Sequence, residues 1–134
     1  MCLQVVFSGD NVNGSLDPEL TWLKILEPVL NSGTPWAVVH GNTDIFGCNS
    51  ESPLARDEMM DYLSNLPNSL SEKGPEFQSH HSGNYVLGVE AHNSTDVSFN
   101  VWMFDGGDTS KVDGVEGWDW IYAEQIQWYV RDSP

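Results

Sequence analysis

The sequence predicts an α/β fold with a mixed β-sheet, and three observations lead to this prediction. An apolar run, an amphipathic helical pattern and a second apolar run follow one another within the first forty residues, which is the order of a βαβ unit. Two later apolar stretches flank a short polar segment and predict an antiparallel hairpin. A helical pattern near the end completes the order of elements, and no linker or internal repeat divides the chain.

The first predicted strand, Leu3–Phe7, is a continuous apolar and β-branched run, which is typical of a parallel strand buried on both faces. A helix follows, with Asp17 as N-cap, Pro18 at the first helical position and Gly33 as the stop. The second predicted strand is 35–40. Four apolar residues recur at helical spacing between the two strands and are expected to face the core: Leu20, Leu23, Leu26 and Leu30.

A second helix is predicted over Pro53–Leu66, and residues 67–82 have the Pro, Ser and Gly content of a loop. Strands are expected at Tyr85–Val89 and Phe99–Phe104, and apolar residues on both faces of the second one predict an interior strand. The last predicted helix runs from Ala123 to Val130. Its pattern places two apolar side chains inward, Ile126 and Val130.

Twenty acidic and five basic residues give the chain a formal charge of −15. Such a surface repels nucleic acid and anionic membranes, so neither is an expected partner, and it usually serves solubility. Cys2 and Cys48 are too few for a disulfide framework. Neither a signal peptide nor a transmembrane segment is evident. Glycosylation triplets begin at Asn13 and Asn93, but such triplets are common by chance.

Candidate functional residues follow the first two predicted strands, as Gly9-Asp10-Asn11 and Gly41-Asn42-Thr43-Asp44. Ligands of open α/β sheets bind beyond the carboxyl ends of strands, and glycine lets the backbone turn sharply there. Carboxylate and carboxamide oxygens are hard ligands for divalent cations. Each loop alone is an ordinary turn. Together they predict a crevice on which Asp10 and Asn42 converge.

Four other groups have structural interpretations that outweigh functional ones. His40 lies within a strand pattern and is expected to be packed and hydrogen-bonded. The His80-His81 pair is expected in a solvated loop, although metal binding is the alternative. The acidic residues Asp105, Asp108 and Asp113 fail the EF-hand spacing and are interpreted as turn residues. Three tryptophans are assigned to core packing around the last helix rather than to a binding platform: Trp118, Trp120 and Trp128.

The order and spacing of these segments resemble the purple-acid-phosphatase-like branch of the calcineurin-like metallophosphoesterases. The GD…GN(T)D pair is similar to the second and third motifs of that superfamily. Blocks along nearly the whole chain agree with the branch: Val6–Asn11, Pro35–Asn42, Leu66–Ser71, Gly83–Tyr85, Phe104–Asp108, Gly117–Ile121 and Gln125–Trp128.

The resemblance implies a four-layer α/β/β/α sandwich that hydrolyses phosphate monoesters with two divalent ions, drawn from iron, manganese and zinc. Asp10 would bridge both metals, and Asn42 would bind one of them. Asp44 would belong to the pair that orients the family's catalytic histidine. Thr43 stands at the position of that histidine and cannot supply a proton near neutral pH, and losing such a group costs about 10²–10⁴-fold in rate.

Two family motifs, an Asp-x-His before Asp10 and histidines after the last helix, are not found in residues 1–134, which we therefore interpret as a single incomplete metallophosphoesterase domain. The sequence predicts a phosphatase domain with impaired activity, acting on a phosphate ester or a phosphoprotein. A non-catalytic pseudophosphatase that serves as a binding module is the alternative. An unpaired sheet edge also predicts self-association.

Overall fold

The computed structural model describes residues 4–12, 17–44, 56–79, 81–92 and 94–133. Cys2, Cys48, His80 and the asparagines of both glycosylation triplets lie outside these ranges, as does the predicted start of the second helix. The elements in chain order are β1 (Val5–Phe7), α1 (Pro18–Ser32), β2 (Trp36–Val38), α2 (Arg56–Ser64), β3 (Tyr85–Glu90), β4 (Val97–Met103) and α3 (Ala123–Asp132).

Strands β1 and β2 are parallel, with Val5 opposite Trp36 and Phe7 opposite Val38. Helix α1 connects them, so the predicted βαβ unit is confirmed. Strands β3 and β4 form the predicted antiparallel hairpin. Parallel and antiparallel pairing are both present, each in its own two-stranded sheet, and they confirm the α/β class.

The ends of α1 are those that the sequence predicts. The Asp17 carboxylate accepts a hydrogen bond from the Leu20 backbone N–H at 3.0 Å, which satisfies one of the free donors of the first turn. Gly33 closes the helix in the left-handed conformation, with φ of 67°. The predicted inner face is partly wrong, because Leu20 and Leu23 are exposed. The buried positions are Pro18, Trp22, Leu26 and Val29.

Tryptophan explains this rotation of the helix. Trp22 is fully buried, and its ring meets the edge of Phe7 with 6.4 Å between ring centroids. An indole removes more apolar surface from water than a leucine does, so its direction decides which face of the helix packs inward. The prediction from the helical spacing of leucines did not take Trp22 into account.

The prediction that β1 and β4 are covered on both faces is wrong for the described residues. Val6 is 43% exposed, and Phe99 and Val97 are 58% and 55% exposed. The end of β4 near Met103 packs into the core, whereas its beginning extends into solvent. Within the described residues β1 pairs with β2 alone, and self-association through its other edge stays a prediction.

The inner face of α3 is also different from the predicted one. Gln125 and Trp128 are buried, while Ile126 and Val130 are 52% and 67% exposed. Trp128 packs against Trp102 of β4, with ring centroids 5.1 Å apart. Gln125 faces inward because buried carbonyl oxygens receive its amide hydrogens.

Two clusters of buried residues make up the core. The first joins α1 and α2 to one side of the parallel strands and contains Val12, Trp22, Leu26, Val29, Trp36, Val38, Met59, Met60 and Leu63. The second lies between β2 and the hairpin and contains Ala37, Val39, Tyr85, Leu87 and Met103. β2 therefore lies between both clusters, and the loop that follows it is anchored on a rigid base. Among the described residues, none of the helices has the length and hydropathy needed to cross a bilayer.

Candidate functional site

The loops after β1 and β2 meet backbone to backbone, and two glycines make this contact possible. Gly9 has φ of 103°, and a Cβ built on it would lie 2.8 Å from the Cα and the backbone nitrogen of Gly41. A Cβ on Gly41 would overlap the backbone and carboxylate of Asp10. Both positions therefore require glycine, and the residue after each one is held at the junction of the loops.

Asp10 points its carboxylate at the second loop. Its Oδ1 accepts hydrogen bonds from the Thr43 backbone N–H at 3.0 Å and from the Thr43 hydroxyl at 2.9 Å. The backbone of Asp10 is left-handed, with φ of 54°, a conformation that aspartate adopts more readily than most residues. The predicted convergence of the two loops is confirmed.

The Asn42 carboxamide lies against the same carboxylate. One terminal atom of the amide is 3.1 Å from both Oδ1 and Oδ2 of Asp10. Hydrogen bonding assigns this atom as the amide nitrogen, which donates to both carboxylate oxygens. Rotation of the amide would instead direct its oxygen to the same place, where a shared cation would stabilise the converging oxygens.

Asp44 is buried, and its carboxylate links the two loops by accepting hydrogen bonds from the backbone of both. Oδ1 accepts from the backbone N–H groups of Asn11 and Val12 at 2.6 and 2.8 Å. Oδ2 accepts from Asp10 and Gly41 at 2.9 and 2.6 Å. Backbone donors occupy both oxygens, so Asp44 fixes the position of Asp10 rather than contacting a ligand directly.

Arg56 and Asp105 form a buried ion pair that sequence reasoning missed. Arg56 Nε donates to Asp105 Oδ2 at 3.0 Å, and Nη2 donates to Asp105 Oδ1. Nη2 also donates to the Gly41 carbonyl at 3.0 Å. Asp105 is fully buried and Arg56 is 9% exposed. The pair therefore supports the loop that carries Asn42 and Thr43.

Asp105 also connects this loop to β3 and α3. Its carboxylate accepts from the backbone N–H groups of Ser82 and Gly107, at 3.0 and 2.9 Å. Its carbonyl accepts from Gln125 Nε2 at 2.7 Å, and the same nitrogen donates to Asn84 Oδ1 at 2.8 Å. The interpretation of Asp105 as an ordinary turn acid is wrong. The sequence did contain one signal of a special role for Asp105, because the Phe-Asp-Gly-Gly-Asp block resembles a family motif.

His40 is packed, as predicted, but not hydrogen-bonded. It is 3% exposed, and neither ring nitrogen has a hydrogen-bond partner of normal geometry within the described residues. Burial, together with the nearby Arg56 charge, lowers the pKa of His40 to about 3, against the smaller opposing effects of Asp105 and the Arg56 backbone. The imidazole is therefore neutral at physiological pH and cannot act there as a general acid.

We expect the free energy of unfolding to fall as the pH decreases from about 7 to about 5.5. Unfolded His40 takes up a proton near its reference pKa of 6.5, whereas the folded form, with a pKa of about 3, does not. Below the reference pKa, the free energy of unfolding should fall by up to about 1.4 kcal/mol for each pH unit. Urea denaturation at both pH values checks it. His40→Gln should weaken the pH dependence, and exposed His92→Gln should not. Equal dependence in all three proteins would contradict the assignment.

His81 is buried, so the prediction of a solvated loop is wrong for this residue. Its Nε2 lies 3.0 Å from Asp119 Oδ2, and its Nδ1 lies 3.3 Å from Gln125 Oε1. The Tyr122 ring packs against it, with 5.2 Å between ring centroids. His81 therefore joins the segment before β3 to the segment before α3.

The donor atoms at the crevice suit one divalent cation. Asp10 supplies carboxylate oxygens, and Asn42 would supply its carbonyl oxygen after rotation of the amide; both are hard ligands. Asp44 is occupied by backbone donors. In the part of the chain that the structure describes, no group of three or more His, Cys, Asp and Glu side chains could hold a metal ion. The described residues thus fit a weak site for one cation and supply only part of a two-metal site.

Comparison with known proteins agrees with this geometry. The family model of the calcineurin-like phosphoesterases matches residues 3–132. "Probable inactive purple acid phosphatase 14" of Arabidopsis thaliana is 36% identical over 141 residues, covering 96% of this chain and 34% of the relative. "Probable inactive purple acid phosphatase 29" of the same plant is 33% identical and "Phosphatase DCR2" of Saccharomyces cerevisiae is 34% identical, over 96% of this chain in both comparisons.

The chain spans about a third of the length of the two plant relatives and 22% of the yeast phosphatase. Among solved structures, none matches significantly. The family match covers all the described elements from β1 to α3, including the two loops that converge at Asp10 and Asn42. The chain therefore belongs to the calcineurin-like phosphoesterase family.

Proposed function

We propose that the Asp10–Asn42 crevice binds one divalent cation together with a phosphate group, and that the chain is impaired in hydrolysing phosphate monoesters. The observation that carries this proposal is the 3.1 Å approach of the Asn42 carboxamide to both carboxylate oxygens of Asp10. Side chains 32 residues apart in sequence meet there because two glycines permit it. Membership of the family supplies the phosphate ester as substrate class.

Asp10 and Asn42 would hold the cation, and iron, manganese and zinc are the candidates that the family implies. When bound, such an ion polarises a phosphoryl oxygen and activates water. Asp44 keeps the Asp10 backbone in position through its hydrogen bonds to the loop. Arg56 supports Gly41 from beneath, so the two ligands stay directed at one point.

Thr43 is the reason to propose impaired rather than full activity. Its hydroxyl donates to Asp10 at 2.9 Å and therefore neutralises no leaving group. A threonine hydroxyl is too weak an acid to protonate a leaving group near neutral pH, and the buried His40 stays neutral. Loss of a general acid costs about 10²–10⁴-fold in rate.

A non-catalytic role as a binding module is the second candidate, and the same Thr43 contact favours it. A crevice that retains oxygen ligands but lacks the acid–base residue keeps the capacity to bind while losing turnover. Two relatives have the word "inactive" in their names, and one is named a phosphatase. The substrate of a catalytic form, whether a small ester or a phosphoprotein, is left to experiment.

We expect the chain to hydrolyse 4-nitrophenyl phosphate no faster than the Asp10→Ala/Asn42→Ala double variant. Initial rates are to be measured with manganese, iron and zinc in turn, and with a chelator as the blank. The double variant controls for contaminating phosphatase, because it removes both proposed ligands. Metal-dependent turnover of the unaltered chain above that variant would contradict impairment and favour a working enzyme.

A further inference from the structure

A small pocket of about 270 Å³ opens beside Asn42. Its walls are formed by His40, Gly41, Asn42, Gly106, Gly107 and Trp118 together with Asp119. It shares Asn42 with the crevice of the proposed cation and phosphate site. A group attached to a phosphate at that site would therefore extend into this pocket.

Trp118 forms an exposed aromatic wall of the pocket. Its side chain is 66% exposed, although tryptophan carries more apolar surface than any other residue. The prediction that it packs in the core is wrong, as it is for Trp120, which is 41% exposed, whereas Trp128 is buried as expected. A large aromatic side chain left in solvent beside a proposed reaction site is available to contact a ligand.

The turn that carries Trp118 is anchored on both sides. The Gly117 carbonyl accepts from the Ser110 N–H at 3.0 Å, and the Asp119 N–H donates to the Asp108 carbonyl at 3.3 Å. The Asp119 carboxylate lies 3.0 Å from the buried His81 ring. Trp118 is thus held at the pocket by its neighbours, so binding a ligand would cost little ordering of the backbone.

The remaining walls favour a flat ligand. His40 also lines the pocket, although only 3% of it is exposed. Gly106 and Gly107 present backbone without side chains, and a Cβ at Gly106 would meet no other atom within 4 Å. The exposed indole and the bare backbone border a slot that can accept a planar group. Asp119 faces His81, so its carboxylate is already paired and does not favour an extended charged chain there.

We propose that this pocket binds the aromatic alcohol portion of an aryl phosphate ester, such as a phosphotyrosine side chain, by stacking it on Trp118. The inference rests on the proposed function, because it places the phosphate of the same ester at Asp10 and Asn42. Stacking between aromatic rings contributes about 0.5–1.5 kcal/mol beyond burial, which corresponds to about a twofold to tenfold change in affinity.

Dissociation constants of phenyl phosphate and methyl phosphate, measured by nuclear magnetic resonance titration in the presence of zinc, the diamagnetic member of the proposed cations, test this proposal. We expect phenyl phosphate to bind at least about twofold to tenfold more tightly than methyl phosphate. Trp118→Ala should abolish this difference. Trp120→Ala, the same change at a neighbouring exposed indole that does not line the pocket, should retain it. Gly106→Val should weaken phenyl phosphate binding selectively, because the new side chain fills the slot.

Equal affinities of the two esters, or a preference that survives Trp118→Ala, would overturn the aryl subsite while leaving the phosphate site intact. Failure of both esters to bind would count against the proposed function instead. In that case 4-methylphenol, which carries no phosphate, tests whether the pocket binds an aromatic alcohol by itself. A shift of the Trp118 indole N–H signal on its addition would support the subsite, and an unshifted signal would overturn it.

Discussion

Replacing Asp44 with alanine is expected to lower the free energy of unfolding by about 3 kcal/mol or more. The change removes the acceptor for four backbone N–H groups, those of Asp10, Asn11, Val12 and Gly41. Each buried donor left without a partner costs about 1–3 kcal/mol, although neighbouring losses do not add fully. Urea denaturation followed by tryptophan fluorescence measures the effect, because Trp22 and Trp36 lie in the core beneath the loops.

Asp113→Ala is the matched control, since Asp113 is an exposed carboxylate far from this network in sequence. It should change stability by no more than about 0.5 kcal/mol. A loss of stability in Asp44→Ala as small as that of the control would show that the two loops do not depend on this carboxylate.

Arg56→Met is expected to cost about 3–5 kcal/mol, because it leaves the carboxylate of Asp105 buried without its cation. Asp105 is fully buried, so water cannot replace the guanidinium. Ser82 and Gly107 still donate to the carboxylate and moderate the loss. The free energy of unfolding of Arg56→Lys should lie between those of Arg56→Met and the unaltered chain. Lysine keeps the charge but forms neither the two-pronged contact with Asp105 nor the contact with Gly41.

Arg131→Met provides the comparison for this experiment. Arg131 pairs with its neighbour Asp132 on the surface, where an ion pair contributes about 0–1 kcal/mol. Equal effects of the Arg56 and Arg131 substitutions in chemical denaturation would contradict the support that we assign to Arg56. If Arg56→Lys is destabilised as much as Arg56→Met, the two-pronged geometry of the guanidinium matters more than its charge.

The order of elements was predictable because local signals agree with the tertiary structure. Asp17 and Gly33 mark the ends of α1 through capping, which depends only on neighbouring residues. The convergence of the loops at Asp10 and Asn42 also followed from the sequence. Parallel strands place their carboxyl ends at one edge, and the glycines before both residues let the loops approach.

The inner faces of the helices were harder to predict, because packing partners decide them. Ile126 and Val130 were expected to be buried in α3, but Gln125 and Trp128 are. Gln125 is drawn inward by oxygens of Asn84 and Asp105, which lie 41 and 20 residues away in sequence. A periodic count of apolar residues contains no information about such distant partners.

The Arg56–Asp105 pair escaped prediction for the same reason. The two residues are 49 positions apart, and each lies in a segment of ordinary composition. Charged residues are mostly exposed, so a buried pair is not expected from sequence without knowledge of the fold. Thr43 shows the opposite case, since its departure from the family motif was visible in the sequence, whereas its hydrogen bonds to Asp10 were not.

Paramagnetic broadening by manganese can locate the cation that we propose to bind at Asp10 and Asn42. Small additions of Mn²⁺ should broaden the backbone amide signals of Asp10 and Thr43 before those of the acidic segment 113–119. Asp10→Asn should remove this selectivity without unfolding the chain. If the signals of 113–119 broaden first, and Asp10→Asn leaves the pattern unchanged, the cation binds elsewhere and the proposed site is contradicted.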